Sequence, residues 1–177
     1  EAETLAAELG HASVVRAELA DPAAADTIMA ALDGLPPPRL LVNNASRFAH
    51  DAAADFSVDS WDAHLDINLR APALLSRAFA RRAKQGVIVN LLDAKLAAPN
   101  PDFFSYTISK IGLAGLTELT ARAFAPRFRV CGIAPSVTLV SGPQSRDNFE
   151  AVHDWNALGR GVEVGEIVGA LRFILAT

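Results

Sequence analysis

GVIVNLL (residues 86–92) and RVCGIA (residues 129–134) are near-continuous apolar runs, and residues 103–125 between them have the spacing of a helix. RLLVNN (residues 39–44) and SVVRAE (residues 13–18) are predicted as two further strands. Strands that are buried on both faces have this uniform apolar character, and parallel strands are joined by helical crossovers. The alternation of strands and helices therefore predicts an α/β fold, a doubly wound parallel sheet with helices on both faces.

Two more helices flank the strand at residues 39–44. Asp21 is the expected N-cap of the first, with Pro22 in its first turn, and this helix runs to about residue 33. A long amphipathic helix covers residues 57–84, and Pro72 inside it predicts a kink. The candidate buried positions of the long helix are Trp61, Leu65, Leu69, Leu74 and Phe79.

Both ends of the chain lie inside helical patterns. Leu5 and Leu9 are spaced four apart in the opening EAETLAAELG, and no capping residue precedes them. Residues 136–161 form a long polar connection to a last helix, residues 164–176, which continues almost to the end of the chain. The pattern predicts a single domain, residues 1–177, that is incomplete at both ends.

Composition places the chain among soluble globular domains. Hydrophobic residues make up 51% of its 177 residues and charged residues 20%, which is enough for a sizeable core. The formal net charge of −4 argues against nucleic acid as a partner, and no apolar run reaches the roughly 18 residues of a membrane span. A single cysteine excludes an internal disulfide, and four scattered histidines give no metal-ligand spacing. We expect a cytoplasmic protein without a metal, nucleic-acid or membrane partner.

Polar side chains follow the apolar runs where the predicted strands end. In open parallel sheets, ligands bind beyond the carboxyl ends of the strands. The residues at these ends are Glu18, Asn43, Asn44, Ala45, Ser46, Asp93, Pro135 and Ser136. Several polar strand ends at one edge make a binding site plausible there, although each of them alone is ordinary loop chemistry.

Tyr106 and Lys110 form the pair with the clearest chemistry. They are spaced four apart on the predicted helix and so share one face, and the strand before that helix ends at Asp93. A phenol has a pKa near ~10, and an ammonium one turn away lowers that pKa toward the working range. A carboxyl group at the same site can share the transferred proton. The same residues are also compatible with a half-buried tyrosine, a solvated lysine and a loop aspartate.

The order of these motifs along the chain resembles that of the short-chain dehydrogenase/reductases. The resemblance rests on Asn43-Asn44-Ala45-Ser46, Asn68, Tyr106-x-x-x-Lys110, the stretch from Val130 to Pro135 and the Leu158-Gly159-Arg160 turn. It implies a Rossmann fold, a nicotinamide cofactor, and a homotetramer built through the two long helices. It also implies that the first β-α-β unit and the last strand are missing, so that these residues alone would bind the cofactor weakly.

Four departures from the family pattern are informative together. The family has serine thirteen positions before the tyrosine, where this chain has Asp93. Ser46 stands where glycine ends the Asn-Asn-Ala motif, Ser136 follows Pro135 in place of glycine, and Glu18 replaces an aspartate. Asp-Tyr-Lys together with Asn-Asn-Ala-Ser and an aromatic two residues later, here Phe48, resembles the pteridine reductase or dihydromonapterin reductase branch.

The resemblance to that branch implies a role for each matched residue. Phe48 would stack on a pterin, while Tyr106 with Asp93 would deliver a proton to a ring nitrogen. Lys110 would hold the nicotinamide ribose, and Asn68 would orient a water or a backbone carbonyl beside it. Residues 136–156 would close over the substrate. The cofactor-binding positions so implied are Glu18, Leu19, Asn43, Asn44, Ala45, Ser46, Tyr106, Lys110, Pro135, Ser136 and Val137.

The leading hypothesis is thus an NADPH-dependent reductase of a pterin of the dihydropteridine, dihydromonapterin or dihydrofolate type. NADPH follows from the resemblance alone, and NADH stays open. A general short-chain carbonyl or alcohol oxidoreductase is the nearest alternative, which Asp93 and Phe48 disfavour. A non-catalytic nucleotide-binding member of the family is a third, which the presence of Tyr106 and Lys110 disfavours.

Overall fold

The chain folds around a three-stranded parallel sheet. The structure is a computed structural model that describes residues 1–140, 144–156 and 158–177. The strands are β1 (Leu40–Asn43), β2 (Gly86–Leu91) and β3 (Phe128–Ile133), in the spatial order β1-β2-β3. Val42 of β1 pairs with Val89 of β2, and Val89 pairs with Cys131 of β3. The parallel sheet predicted from the apolar runs is confirmed for these three strands.

Helices connect the strands and extend beyond them. None of the described helices is long and apolar enough to cross a membrane. The helices are α1 (Ala2–Leu9), α2 (Ala24–Ala30), α3 (Val58–Leu65), α4 (Ala71–Arg82), α5 (Phe104–Phe124), α6 (Arg146–His153) and α7 (Val164–Ala176). The connection predicted over residues 136–161 therefore contains one helix, α6, and residues 141–143 and 157 of it lie outside the described part of the chain.

The strand predicted at residues 13–18 is wrong. Residues 12–18 form neither helix nor strand, and Val14 and Val15 are 46% and 39% exposed. β-Branched side chains favour extended backbone, but a strand exists only where a neighbouring strand takes up its hydrogen bonds. No described strand pairs with this segment.

The helix predicted from Asp21 begins later than expected. Asp21 and Pro22 lie in a turn, in which the Asp21 carboxylate accepts from the backbone N–H of Ala23 at 2.8 Å. The helix proper, α2, starts at Ala24. The capping chemistry of Asp21 thus closes the preceding turn rather than the helix itself.

The long helix predicted over residues 57–84 is interrupted. Ser57 caps it as a serine N-cap should, since its hydroxyl accepts from the N–H of Ser60 at 3.0 Å. A π-helical turn, Asp66–Arg70, separates α3 from α4, and the N–H of Ala71 donates to the carbonyl of Asp66 five residues back. Pro72 follows immediately. It has no N–H and so cannot donate the regular α-helical hydrogen bond to the carbonyl of Asn68, four residues back. The irregularity expected from Pro72 therefore takes the form of a π turn.

The buried face of this helix is not the predicted one. Of the five candidate positions, Phe79 is buried, whereas Trp61, Leu65, Leu69 and Leu74 are half-buried. The face that is fully covered carries small and polar side chains between its apolar ones. Its members are His64, Asn68, Ala71, Pro72, Leu75, Ser76 and Phe79.

The hydrophobic core lies between the sheet and the end of α4. Phe79 packs against Ile88 of β2 and Phe128 of β3, and its ring meets that of Phe128 edge-on at 5.7 Å between centroids. Neighbouring β2 residues point to opposite faces of the sheet, and Ile88 and Val89 are both fully buried. The central strand β2 is therefore covered on both faces.

Candidate active site

The carboxyl ends of the three strands meet at one edge, as the sequence predicts. Just beyond the strands, the N–H of Leu92 donates to the carbonyl of Ile133 at 2.7 Å. The N–H of Ala94 likewise donates to the carbonyl of Pro135 at 2.9 Å. These bonds tie the segment that carries Asp93 to the end of β3. The edge is thereby a fixed platform rather than a set of independent loops.

Asp93 and Tyr106 are in direct contact. The Tyr106 hydroxyl donates to Oδ2 of Asp93 at 2.5 Å, and the other carboxylate oxygen accepts from the N–H of Lys95 at 2.8 Å. Asp93 is also the N-cap of a short 3₁₀ helix, Ala94–Leu96, which fixes its backbone. The structure thus brings Asp93 and Tyr106 together at the edge where the sequence places both, and their catalytic role stays a prediction.

The electrostatics of Tyr106 differ from the sequence expectation. Burial raises the pKa of Tyr106 far above its ordinary value, and the negative charge and hydrogen bond of Asp93 raise the pKa further. The predicted lowering of this pKa by Lys110 is therefore wrong. The Lys110 ammonium lies 5.6 Å from the Tyr106 ring centroid and donates to the carbonyl of Leu91 at 2.8 Å. Tyr106 is consequently a neutral phenol that holds its proton toward a carboxylate.

Lys110 is itself unusual for a lysine because it is only 4% exposed. Burial lowers the pKa of its ammonium, and the carboxylate of Asp93 opposes that shift. Its bond to Leu91 occupies one of three N–H groups. The remaining donors suit hydroxyl groups of a ligand at this edge.

Asn68 lies in the π turn and fastens the loop after β1. Its side-chain oxygen accepts from the N–H of Arg47 at 2.7 Å and from the Ser46 hydroxyl at 3.2 Å. Its amide donates to the carbonyl of Arg47 and to the hydroxyl of Ser109, both at 2.9 Å. Asn68 is fully buried, and the hydrogen bonds of its amide hold this loop in its conformation. The expected role of orienting a carbonyl or water near Lys110 stays a prediction.

Phe48 lies against the tyrosine, where the sequence places it. Its ring meets the Tyr106 ring edge-on at 4.7 Å, and its opposite contact is a parallel stack on Phe103 with centroids 4.2 Å apart. The side chain is 37% exposed. A planar ligand at the carboxyl edge would thus meet an aromatic pair rather than a single ring.

Phe103 is a residue of this site that the sequence pattern does not predict. It is the N-cap of α5 with a left-handed backbone, φ 56°, which costs energy for a non-glycine residue and clusters at functional sites. Lys95 lies over its ring at 5.4 Å and His50 meets it edge-on at 5.2 Å. The only signal in the sequence is the Phe103-Phe104 doublet at the start of the helix.

The expected cofactor positions divide into those that share a cavity and those that do not. A cavity of about 230 Å³ lies beside the end of β1, and Leu19, Asn43, Asn44 and Ala45 contribute to its lining. The side-chain oxygen of Asn43 is buried without a hydrogen-bond partner among the described residues. Glu18 does not line this cavity, and its carboxylate accepts instead from the N–H of Ala20 at 3.2 Å.

The segment after β3 continues along the same edge. Pro135 is tied to Ala94 as described, Ser136 is exposed and Val137 is half-buried. The Thr138 hydroxyl donates to the carbonyl of Ser136 at 2.8 Å. The predicted closure of residues 136–156 over a substrate is untested, and its residues 141–143 lie outside the described part of the chain.

The site thus combines a Tyr-x-x-x-Lys helix beside a parallel sheet with a carboxylate that accepts from the phenol. Residues 1–150 match the short chain dehydrogenase family, and the chain belongs to that family. The match confirms the Rossmann-type fold predicted from the motifs.

Relatives within the family carry varied names. The chain is 31% identical over 186 residues to a probable galactose dehydrogenase, GalD, of Rhizobium meliloti (strain 1021), which covers 97% of this chain and 71% of the relative. It is 32% identical over 180 residues to the 3-alpha-(or 20-beta)-hydroxysteroid dehydrogenase of Mycobacterium tuberculosis (strain ATCC 25618 / H37Rv), covering 94% of this chain and 65% of that relative.

Solved structures similar to this chain include an alternative dihydrofolate reductase. The crystal structure of FolM alternative dihydrofolate reductase 1 from Brucella canis, complexed with NADP, superimposes with a TM-score of 0.93 at 34% identity. The likeness covers 99% of this chain and 72% of that one. A metagenomic blue fluorescent protein in complex with NADPH gives a TM-score of 0.85 at 26% identity, covering 98% of this chain and 74% of that one.

Proposed function

We propose that the protein is an NADPH-dependent reductase of a pterin. The observation that carries the proposal is the contact between Asp93 and Tyr106 at 2.5 Å, with the ring of Phe48 against the same tyrosine. A carboxylate bonded to the acid-base phenol suits the protonation of a ring nitrogen, and aromatic faces suit a planar heterocycle. The likeness to the FolM alternative dihydrofolate reductase supports this choice within the family.

The residues present fit a nicotinamide dinucleotide. Asn43, Asn44 and Ala45 would hold it at the cavity beside β1, where the unpartnered oxygen of Asn43 is an available acceptor. Lys110 would bind its ribose hydroxyls through the ammonium donors that Leu91 leaves free. The cofactor, when bound, supplies the hydride. NADP or NADPH in the similar solved structures supports the phosphorylated form.

The protein's own contribution is the proton. Tyr106 holds its proton because its pKa is raised by burial and by Asp93, and the carboxylate shares that proton through a 2.5 Å bond. In the reaction, Tyr106 and Asp93 would deliver this proton to the substrate nitrogen next to the reduced carbon. Water then restores the proton to the pair. The positive Lys110 balances the negative charge that the pair carries after the transfer.

A general carbonyl or alcohol oxidoreductase is the second candidate. The names of the relatives favour it, because they include a sugar and a steroid dehydrogenase. Asp93 and Phe48 argue against it, because the general family pattern has serine at the position that Asp93 occupies in this chain. The two candidates differ in the substrate that accepts hydride.

A substrate screen distinguishes them. The protein is given NADPH with dihydrobiopterin, dihydromonapterin or dihydrofolate in one arm, and with simple ketones or aldehydes in the other. Loss of NADPH absorbance with a pterin, at a rate at least tenfold above that with any ketone, is expected. Faster turnover of ketones than of every pterin would replace the first candidate by the second.

The Tyr106→Phe variant tests the proton step. We expect turnover to fall by about 10³-fold or more because the ring no longer carries the acid, while NADPH affinity stays within about threefold. NADPH absorbance and fluorescence titration measure the two quantities. Wild-type-like turnover in this variant would rule out the role given to Tyr106.

A further inference from the structure

The helix that carries Tyr106 is capped by a residue from a distant loop. Its own N-cap, Phe103, makes no side-chain capping bond. Asp51 takes that place: Oδ1 accepts from the N–H of Ser105 at 3.0 Å and its carbonyl accepts from the N–H of Phe104 at 3.2 Å. The Ser105 hydroxyl also donates to Oδ2 of Asp51. The free N–H of Ser105 is thus satisfied by a carboxylate 54 positions away in sequence, and that of Phe104 by the backbone carbonyl of the same aspartate.

Asp51 is buried and joins three parts of the site. It is 8% exposed, and Oδ2 also accepts from the Ser60 hydroxyl of α3 at 3.0 Å. No lysine or arginine lies within ion-pair distance of it among the described residues; the nearest described cation-forming group is His64, whose Nδ1 is 4.0 Å away. The charge is therefore stabilised by hydroxyls and by the start of the helix.

His64 of α3 also anchors the loop after β1, the loop that contains Asp51. It is fully buried in α3, and its Nε2 accepts from the N–H of Ala49 at 3.2 Å. An imidazole that accepts at Nε2 carries its proton at Nδ1 and is neutral. Asn68 fixes Arg47 in the same loop.

The anchored residues alternate with the residues that reach the site. Arg47, Ala49 and Asp51 are held by helical elements, whereas Phe48 and His50 between them contact the ring of Phe103. One side of the loop is therefore fastened and the other side presents aromatic rings next to Tyr106. The two sides are coupled through the start of α5.

We propose that Asp51, with neutral His64 beside it, is a positioning residue for the reaction. It sets the start of α5 against the loop and so holds Tyr106 at bonding distance from Asp93 with Phe48 alongside. The inference deepens the proposed function and rests on it for the identity of the reaction. Asp51 is buried, and in this proposal it acts through Tyr106 and Phe48.

The test compares Asp51→Ala with Asp51→Asn. The alanine variant removes every side-chain bond, whereas asparagine keeps an oxygen for the Ser105 N–H and an amide that can donate to hydroxyl oxygens. We expect Asp51→Ala to lower kcat/KM about tenfold or more, mostly through kcat, and Asp51→Asn to stay within about threefold. Glu163→Ala is the matched control, because it removes a capping carboxylate from α7, outside the site.

A second readout follows Tyr106 directly and does not depend on the substrate. Tyr106 is the only tyrosine of the chain, so 3-fluorotyrosine labelling gives a ¹⁹F resonance that Tyr106→Phe identifies by its loss. Asp51→Ala should shift or broaden this resonance, whereas Asp51→Asn and Glu163→Ala should leave it in place. An unchanged resonance and unchanged kcat/KM in Asp51→Ala would overturn the proposal, as would an equal loss in Glu163→Ala.

The outcomes separate this inference from the proposed function. A protein that reduces no pterin but shows the fluorine shift would contradict the function and leave the positioning role supported. Should Asp51→Ala not fold, Ser105→Ala takes its place, since it removes only the hydroxyl bond to Asp51. A displaced resonance in Ser105→Ala supports the proposal, and an unchanged one overturns it.

Discussion

Tyr106 holds its proton more tightly than an exposed tyrosine does, and two causes share in this. Burial is the larger cause, and the charge and hydrogen bond of Asp93 add to it. A lysine one turn away does not reverse them, because its ammonium lies beyond hydrogen-bond reach over the ring. The phenol is therefore protonated at neutral pH and cannot act as a base in that state. Its raised pKa also makes it a weaker acid than an exposed tyrosine, so the proton leaves only as the acceptor nitrogen becomes strongly basic during the reaction.

Asp93→Asn separates the two causes. The amide retains the size of the carboxylate but not its charge, so the pKa of Tyr106 should fall below its wild-type value while burial keeps it above about 10. A phenolate absorbance titration measures this value, because the chain has a single tyrosine, with Tyr106→Phe as the baseline. A pKa that stays unchanged or rises in Asp93→Asn would contradict the assigned cause.

His64 should make stability depend on pH. Burial lowers its pKa in the folded state, and the charge of Arg47 lowers it further, while the Ser60 carbonyl and the Asp51 carboxylate oppose that shift. The unfolded chain, with a pKa of about 6.5, therefore binds the proton first as pH falls. The free energy of unfolding should be at its full value above about pH 6.5 and should decrease below it, until the pH reaches the folded-state pKa.

Urea unfolding at about pH 7.5 and about pH 5.5 measures this change, and His64→Gln should remove most of it. The exposed His11→Gln is the control, which should keep the wild-type difference between the two pH values. Equal pH dependence in His64→Gln and in the wild type would assign the effect to other groups.

At the scale of the helix, the face that α4 buries can be tested by two neighbouring leucines. Leu75 is 8% exposed, whereas Leu74, which the apolar spacing favoured, is only half-buried. We expect Leu75→Ala to lower the free energy of unfolding by about 2 kcal/mol or more, and Leu74→Ala by roughly 1 kcal/mol or less. Urea unfolding of the monomeric or fully dissociated protein measures both, and the reverse order would restore the predicted face.

Apolar periodicity explains why the helical range is predicted correctly and why the buried face of the helix is not. Spacing alone predicts that residues 57–84 are helical, because the repeat of apolar side chains is local information. Spacing cannot predict that polar side chains lie on the buried face. Asn68 is buried because it forms hydrogen bonds with Arg47 and Ser109, and not because its burial removes apolar surface from water. Those partners come from other elements and leave no local pattern.

The site shows the same division between local and long-range information. Asp93, Tyr106 and Lys110 are predictable, because the strand end, the helix and the four-residue spacing bring them to one edge. Asp51 is not, because its partner Ser105 is 54 positions away and an aspartate in a polar loop is ordinary. The strand predicted at residues 13–18 fails for a related reason, since its pattern carries no information about a pairing partner.

At the scale of the whole molecule, apolar surface remains on the two long helical elements. Ile111 and Leu119 of α5 are 45% and 68% exposed, two turns apart, with Gly115 between them. Trp61, Leu65 and Leu69 near α5 are only half-buried, although their spacing marks them as apolar positions. Surface of this kind is covered when copies of a chain pack helix against helix.

We therefore propose the homotetramer that the family resemblance implies, with the α5 surface in its interface. Light scattering should give a mass of about four times 18.7 kDa for this chain, and Leu119→Lys should lower it to that of a dimer or a monomer. A lysine placed in an apolar interface must give up its hydration without a partner, which costs several kcal/mol in each copy. Leu9→Lys, at a position that is 51% exposed on α1, is the matched control and should leave the mass unchanged. Because α5 also carries Tyr106 and Lys110, loss of the tetramer in Leu119→Lys should reduce turnover as well. A monomeric wild type with full activity would disprove the link between assembly and site.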